Sequence, residues 1–234
     1  MRKALILLFC ISLLGYTNLW AQDEELEAEA DTTQIKKPYG LRVGADIGKL
    51  ARTAISADYR GFSLLGDIRI SNRFYVAAEL GHEKKEWDKD FLRADIDGSY
   101  LKVGLDYNAY NNWLDMNNAI YVGFRYGYSS FKETLLSYRV YTTNKELPTE
   151  IRDVNMVYDN LNLHWVEFQF GIKTELFKNL FLGLHLEVKA SISETPPDNF
   201  GILYAPGFNR TYDNSSFGVG YGYSLTYLIP ILKK

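Results

Sequence analysis

Apolar and other residues alternate with a period of two over eight stretches of this chain: 39–47, 62–70, 74–80, 101–107, 120–128, 166–172, 180–190 and 217–229. Successive side chains of a strand point to opposite faces, so this alternation predicts strands with one apolar face each. In the apolar phase, 39 of 40 positions are apolar and Gly66 is the exception. Composition near one half could not produce that phase, and the predicted fold class is all-β and antiparallel.

The other phase decides what kind of sheet forms. It holds 32 positions, of which ten are glycine, eleven are charged and six are apolar. A strand face in water gains nothing from glycine, which weakens the strand and packs against nothing. Eight strands closed into a barrel leave a lumen only wide enough for side chains, where glycine makes room for large polar neighbours. The pattern therefore predicts an eight-stranded transmembrane β-barrel with a polar, filled lumen and no open pore. The acids Asp46, Asp67, Glu79, Asp106, Glu167 and Glu187 would pair there with Arg42, Arg69, Lys102, Arg125 and Lys189. His185, two residues before Glu187, joins the same network. Buried charges must pair in this way.

The gaps between segments are 14, 3, 20, 12, 37, 7 and 26 residues, and each even-numbered gap is shorter than both its neighbours. Outer-membrane barrels have short periplasmic turns, long external loops and an even strand number. Both termini would then be periplasmic, with Ser71-Asn72-Arg73 as the clearest turn. Phe74, Tyr107, Tyr128 and Phe217, near segment ends, would supply aromatic girdles. The 37-residue gap keeps the even parity at Leu136, Tyr138 and Val140. It reads either as a projecting ribbon with a bulge near Lys132 or as a loop covering the barrel mouth.

Composition adds location. Arg2 and Lys3 precede an apolar run over 4–14, and Ala21 offers a small residue for cleavage, so 1–21 reads as an export signal. The run is too short for a membrane helix, which needs ~20 residues. Phe9 is too large to precede a lipidated cysteine at Cys10. Residues 22–37 form an acidic flexible tail with six acids between Asp23 and Asp31. The barrel would occupy 38–234, with 22 bases against 23 acids, and nucleic acid is excluded as a partner by that balance. Cys10 is the one cysteine, so the exported part has no disulfide and no thiol nucleophile.

Candidate chemistry is sparse. Gly218, Gly220 and Gly222 repeat at a strict spacing of two with no helix behind them, which suits a strand and not a phosphate loop. Asp95, Asp97 and Gly98 lack the flanking ligands of a calcium loop and read as a turn before the fourth strand. Asp88, Asp90 and Asp95 are the loose alternative for a divalent ion. His82 and His164 share the lipid-facing parity near the outer rim, yet no His-x-Ser occurs to give an attacking hydroxyl its base. No catalytic, cofactor-binding or metal residue is assigned. Asn209-Arg210-Thr211 and Asn214-Ser215-Ser216 match a glycosylation pattern by chance.

Five stretches carry a wider likeness: residues 98–114 (GSYLKVGLDYNAYNNWL), 120–128 (IYVGFRYGY), 164–173 (HWVEFQFGIK), 195–213 (TPPDNFGILYAPGFNRTYD) and 217–230 (FGVGYGYSLTYLIP). Through them the chain from about Pro38 to Lys234 resembles a Bacteroidota family of outer-membrane β-barrel proteins, a domain of unknown function. The resemblance implies a signal-bearing barrel and supplies no catalytic residue. The ending Pro230-Ile231-Leu232-Lys233-Lys234 departs from the terminal aromatic common among such barrels.

Three functions fit these features. The first is a monomeric structural or surface-interaction protein, surrounded by outer-membrane lipid and able to hold an unidentified surface partner through residues 129–165. The second is an enzyme acting on an envelope lipid such as lipid A. The third is a soluble lipocalin-like carrier with its faces reversed.

Overall fold

The computed structural model describes residues 39–89, 91–110, 117–140, 150–198, 201–211 and 215–232. The signal and acidic tail assigned to 1–37 lie outside the described residues, as do Asp90 and Asn214. Eight long strands form one sheet: β1 (Tyr39–Asp46), β2 (Tyr59–Arg69), β3 (Phe74–Lys89), β4 (Leu92–Asn108), β5 (Ala119–Arg139), β6 (Ile151–Phe177), β7 (Leu180–Thr195) and β10 (Phe217–Leu232). All pairs are antiparallel. They run in the order β1-β10-β7-β6-β5-β4-β3-β2, with β2 returning to β1, so the sheet closes on itself. A nine-residue helix, α1 (Ile47–Ile55), follows β1, and a small hairpin, β8 (Tyr204–Ala205) with β9 (Asn209–Arg210), lies between β7 and β10.

Each of the eight alternating segments falls in one strand, save that Ile47 opens α1 and Ile70 lies just past β2, but most strands run further. About 9–11 residues of tilted strand cross a bilayer, whereas β3, β4, β5 and β6 have 16, 17, 21 and 27 residues. Two of the gaps read as long loops are therefore largely sheet. Asp95, Asp97 and Gly98 lie inside β4 and not in a turn before it.

The added lengths reverse the pattern. On β4, the apolar residues Leu101, Val103 and Leu105 point outward, while Ala94, Ile96 and Tyr100 point inward and are buried. The phase slips by one residue at Tyr100/Leu101. It slips again between Tyr128 and Phe131 on β5, and between Trp165 and Val166 on β6. Just beyond these points the outward positions are polar, Lys84 and Glu86 on β3, Asp95 and Asp97 on β4, Lys132 and Thr134 on β5, while Leu136 and Tyr138 near the end of β5 are outward and apolar. The inward residues Ile96, Phe131, Leu161, Leu163 and Trp165 form an apolar core. One wall thus has a polar interior in one part and an apolar interior in the other.

The ribbon expected of the 37-residue gap is present, with β5 and β6 paired as far as Arg139↔Ile151. It is not a free two-stranded arm, because β4 pairs along β5 as far as Leu92↔Tyr138. The bulge lies opposite Lys132, on β6: Phe131 faces Leu161 and Glu133 faces Tyr158, so β6 carries the extra residue. Asn160 there, and Asn155 at the next register shift, adopt positive φ of 60° and 49°, a conformation asparagine tolerates better than most side chains.

Aromatic residues fill the space opposite inward glycines. Gly81 pairs with Tyr100, Gly127 with Trp165 and Gly171 with Tyr121. At the opposite end, the β2–β3 turn closes through Ile70 N–H to Phe74 O (3.0 Å), and Phe74 packs on Tyr107 with ring centroids 5.3 Å apart.

The wall is irregular at the end of β1. β1 stops at Asp46, opposite Ser224 on β10 and one pair beyond Ala45↔Leu64. Asp46 Oδ1 accepts from the backbone N–H of Gly48 (2.8 Å) and Lys49 (3.1 Å), capping α1 as it turns out of the sheet. The helix covers the β2 edge: Thr53 Oγ1 donates to Gly61 O (2.9 Å) and accepts from Gly61 N–H (2.8 Å).

Candidate functional site

Two groups of charges fill the lumen inside the apolar belt. Towards the β2–β3 turn, Asp67 lies between Arg42 Nε (2.6 Å) and Lys173 Nζ (2.7 Å). Asp106 lies 2.6 Å from Arg125 Nη2 and 3.5 Å from Lys173 Nζ. Further along, Lys102 Nζ meets Glu187 (2.9 Å), Glu167 (3.1 Å) and Glu79 (3.5 Å). Lys189 pairs with Glu187 at 2.7 Å, and His185 Nε2 lies 3.2 Å from Glu187 Oε1. Gln169 donates to Glu167 at 2.6 Å.

Ten of the twelve residues assigned to the lumen from sequence, all but Asp46 and Arg69, are buried and brought together in this way. Asp46 is buried but serves as the helix cap. Arg69 is only half-buried and sits at the turn, where it donates to Ser71 O (3.0 Å) and Asn72 O (3.2 Å). Arg69 is the correction, because the turn competes with the lumen for its guanidinium, whereas Asp46 keeps a place beside His185 as well as capping the helix. Lys173, which bridges Asp67 and Asp106, was missed although it has the parity of Glu167. Lys49 and Glu83 were also missed, because the first lies on a helix and the second in a stretch read as loop.

The mouth is plugged. Ile202, Tyr204, Ala205 and Phe208, from the β8–β9 hairpin and its flanks, are buried against Tyr59, Tyr100 and Trp165. Trp165 and Phe208 meet edge to face at 5.8 Å. Polar contacts hold the hairpin to the wall. Tyr204 Oη donates to Glu83 Oε2 at 2.5 Å and Gly207 N–H donates to the same oxygen at 3.2 Å. Lys189 Nζ donates to Gly207 O at 2.7 Å. Gly207 has φ +77°, and a Cβ there would lie 2.5 Å from the Tyr100 ring, so this turn needs glycine. Lys49 Nζ lies 2.9 Å from Glu83 Oε1 and also contacts Tyr100. Burial beside the Glu83 carboxylate raises the Tyr204 phenol well above its ordinary range.

Glu133 faces this apolar core beyond the belt. It is fully buried with no cation beside it among the described residues, and burial pushes its pKa up to about 8 although the nearby Leu203 backbone N–H favours the charged form. The acid is held protonated at neutral pH by the cost of burying an unpaired charge.

Outside the wall, at the edge of the apolar belt, three polar side chains meet. Ser99 lies opposite His82 across the β3–β4 ladder, with Ser99 Oγ 3.0 Å from His82 Nδ1. His82 Nε2 lies 3.5 Å from Asp97 Oδ1. Lys84 and Lys132 flank Asp97 on the neighbouring strands, and Phe62 flanks His82. A search along one strand for His-x-Ser misses this pair, because the residues are 17 apart in sequence. His164 does not reach a serine hydroxyl among the described contacts; its Nδ1 lies 2.7 Å from Tyr126 Oη. Among the described residues no cluster of three or more His, Cys, Asp or Glu is placed to hold a metal ion.

No curated protein matches the chain in sequence. Two similar solved structures are of Ail, the attachment invasion locus protein of Yersinia pestis. One is 10% identical, with 82% of this chain and 98% of that chain covered at a TM-score of 0.39. The other, in complex with the heparin analogue sucrose octasulfate, is 10% identical with 81% and 95% covered at 0.37. Residues 1–234 match the family described as a domain of unknown function (DUF6048), and the chain belongs to that family.

Proposed function

We propose that this member of the DUF6048 family is an outer-membrane β-barrel of a Bacteroidota cell, exported by its cleaved leader, that serves as a monomeric surface-interaction protein. The observation that carries the reading is the reversal of faces along single strands. Where Leu101, Phe124, Phe170 and Leu184 point outward and are exposed, the interior is charged; where the outward face is polar, the interior is apolar. Hydrocarbon outside the first part and water outside the second account for both. Closing the sheet pairs most of the ladder within the wall, and a bilayer requires backbone groups to be satisfied internally. A soluble carrier needs the apolar face inward throughout. The packed lumen and the plug support a barrel that conducts nothing.

The part beyond the belt supplies the interaction surface. From Ile151 to Leu161, β6 pairs with β5 alone, since its pairing with β7 begins at Asn162↔Thr195. Ile151, Met156 and Val157 are exposed on this stretch. An extended partner can add a strand to such an edge. The test replaces residues 134–157 with a tight turn and compares surface partners captured from intact cells. The reading expects the shortened barrel to insert normally and lose its partners; full capture by the shortened form would overturn it.

One observation favours a second reading, hydrolysis of an envelope-lipid ester. His82 is placed to take the Ser99 proton while Asp97 steadies the ring, on the boundary between apolar Leu80 and Leu101 and cationic Lys84 and Lys132. Ser99 Oγ would attack the ester carbonyl. The alcohol would leave with the proton from His82, and water would then release the acid and restore Ser99. Fatty-acid release from phosphatidylglycerol vesicles, lost in both Ser99→Ala and His82→Gln, would support it. Release that survives both substitutions, or none from the unaltered protein, would remove it.

A further inference from the structure

The irregular place in the wall leaves one sheet edge uncovered. On β10, residues Phe217 to Tyr223 pair with β7, but their other edge meets no strand, because β1 has ended opposite Ser224. The helix does not replace it. α1 secures the β2 edge through Thr53 and meets β10 at its start, where a Cβ on Gly48 would lie 3.1 Å from the Tyr223 ring. Between α1 and this edge lies a cavity of about 700 Å³. Its lining passes through the wall, from lumen-facing Glu187 and Lys189 to the outward Leu186, Val219 and Tyr221. It is a lateral opening.

An unpaired strand edge facing hydrocarbon is untenable, since each unsatisfied backbone group there costs several kcal/mol; such an edge is tolerated only where it lines a polar cavity. The cavity must therefore hold polar matter while opening on an apolar surface. Val219 and Tyr221 are more than two-thirds exposed at its mouth, and the apolar stripe of α1 (Leu50, Ala51, Ala54, Ile55) is uncovered beside it. The lining carries both signs, and two of its outer acids are engaged, Asp58 by Lys85 and Asp88 by Arg93 at 3.6 Å, so its bases select the polar part. Arg52 stacks on the Tyr59 ring at 3.9 Å and has no carboxylate within 4.0 Å among the described contacts. Lys89 and Arg210 line the same space, Arg210 over the Trp87 ring at 5.4 Å. The Trp87 indole N–H is buried in this lining without a hydrogen-bond acceptor.

We propose that this opening binds a phosphate-bearing membrane lipid. The phosphate lies among Arg52, Lys89 and Arg210 with the Trp87 N–H free to donate to it, and an acyl chain leaves across Val219 and Tyr221 into the bilayer. The inference rests on the bilayer reading of the apolar belt. A peptide strand would have to reach the same edge through hydrocarbon, because the mouth is lined by lipid-facing residues.

The test uses the full exported protein in bilayer nanodiscs of equal phosphatidylglycerol and phosphatidylcholine, with native mass spectrometry of lipid retained per chain. The unaltered protein should retain phosphatidylglycerol preferentially. Arg52→Ala with Arg210→Ala should cut that preference on the order of tenfold, while Arg60→Ala, on the outer face of β2, should leave it unchanged. Should the double variant not fold, Lys89→Glu at the exposed rim makes the same comparison. Equal retention of the two lipids, unchanged preference in the variants, or displacement by millimolar inorganic phosphate alone would overturn the inference, as would dimers joined at this edge without lipid. Failure of the bilayer reading looks different: the protein would not enter the nanodisc at all.

Discussion

Tyr204 donates its hydroxyl to Glu83 at 2.5 Å across 121 residues of chain, and this contact joins the hairpin in the mouth to the wall. Glu83 is almost fully buried, so losing a charge-assisted hydrogen bond leaves a poorly solvated carboxylate. Tyr204→Phe should loosen the plug by about 1.5–3 kcal/mol, seen as faster hydrogen exchange over 202–208. Conductance in planar bilayers should stay absent, because the charges below the plug still fill the lumen. A steady pore in the variant would contradict the filled interior.

Lys102 is the hub of the inner network, with three carboxylates within 3.5 Å. Lys102→Met should destabilise the barrel by about 3–5 kcal/mol, the usual cost of stranding a buried charge. Guanidinium unfolding in detergent measures it. An unchanged midpoint would mean that water, not Lys102, serves Glu79, Glu167 and Glu187.

A Cβ on Gly127 would lie 2.1 Å from the indole of Trp165. Gly127→Ala should therefore cost about 1–3 kcal/mol by overpacking. Adding Trp165→Phe should recover part of that loss, since neighbours that share space are not additive. Independent, additive losses would show that the close approach carries no energy.

Glu133 makes the projecting part sensitive to pH. Its pKa is raised from 4.5 to about 8 in the folded state, so between those values the unfolded chain has released a proton that the fold retains. Stability of this region falls as pH rises through that window and levels off above it. At about 1.4 kcal/mol per pH unit, the loss is on the order of a few kcal/mol. Glu133→Gln should abolish the slope and slow hydrogen exchange over 131–137 at pH 8. Equal protection of the unaltered protein at pH 5 and pH 9 would contradict the buried acid.

Strands and lumen were legible because period-two alternation is local, and Lys102, Glu167 and Glu187 each fall in the non-apolar phase of their own strand. The projecting part was written in the same code with the sign reversed. Ala94, Ile96 and Tyr100 alternate as cleanly as Leu101, Val103 and Leu105, one residue out of phase, and a reading that seeks one apolar phase treats them as loop. Helix α1 had no such signature, since its apolar stripe Leu50, Ala51, Ala54 and Ile55 occupies only nine residues after a strand. The Ser99–His82 contact depends on strand register, which no spacing within one strand records. The plug depends on contacts such as Glu83 with Tyr204 that are far apart in sequence.

The central claim is that one wall faces lipid along part of its length and water beyond. The sequence has a single cysteine, Cys10, so in a Cys10→Ser background one introduced cysteine per variant carries a unique spin label. Labels at Leu105, Phe124, Phe170 and Leu184 should relax with dissolved oxygen, which partitions into hydrocarbon. Labels at Lys84, Asp95 and Lys132 should relax with a water-soluble nickel complex instead. Nickel access at all seven positions, or oxygen preference at all seven, would contradict the account.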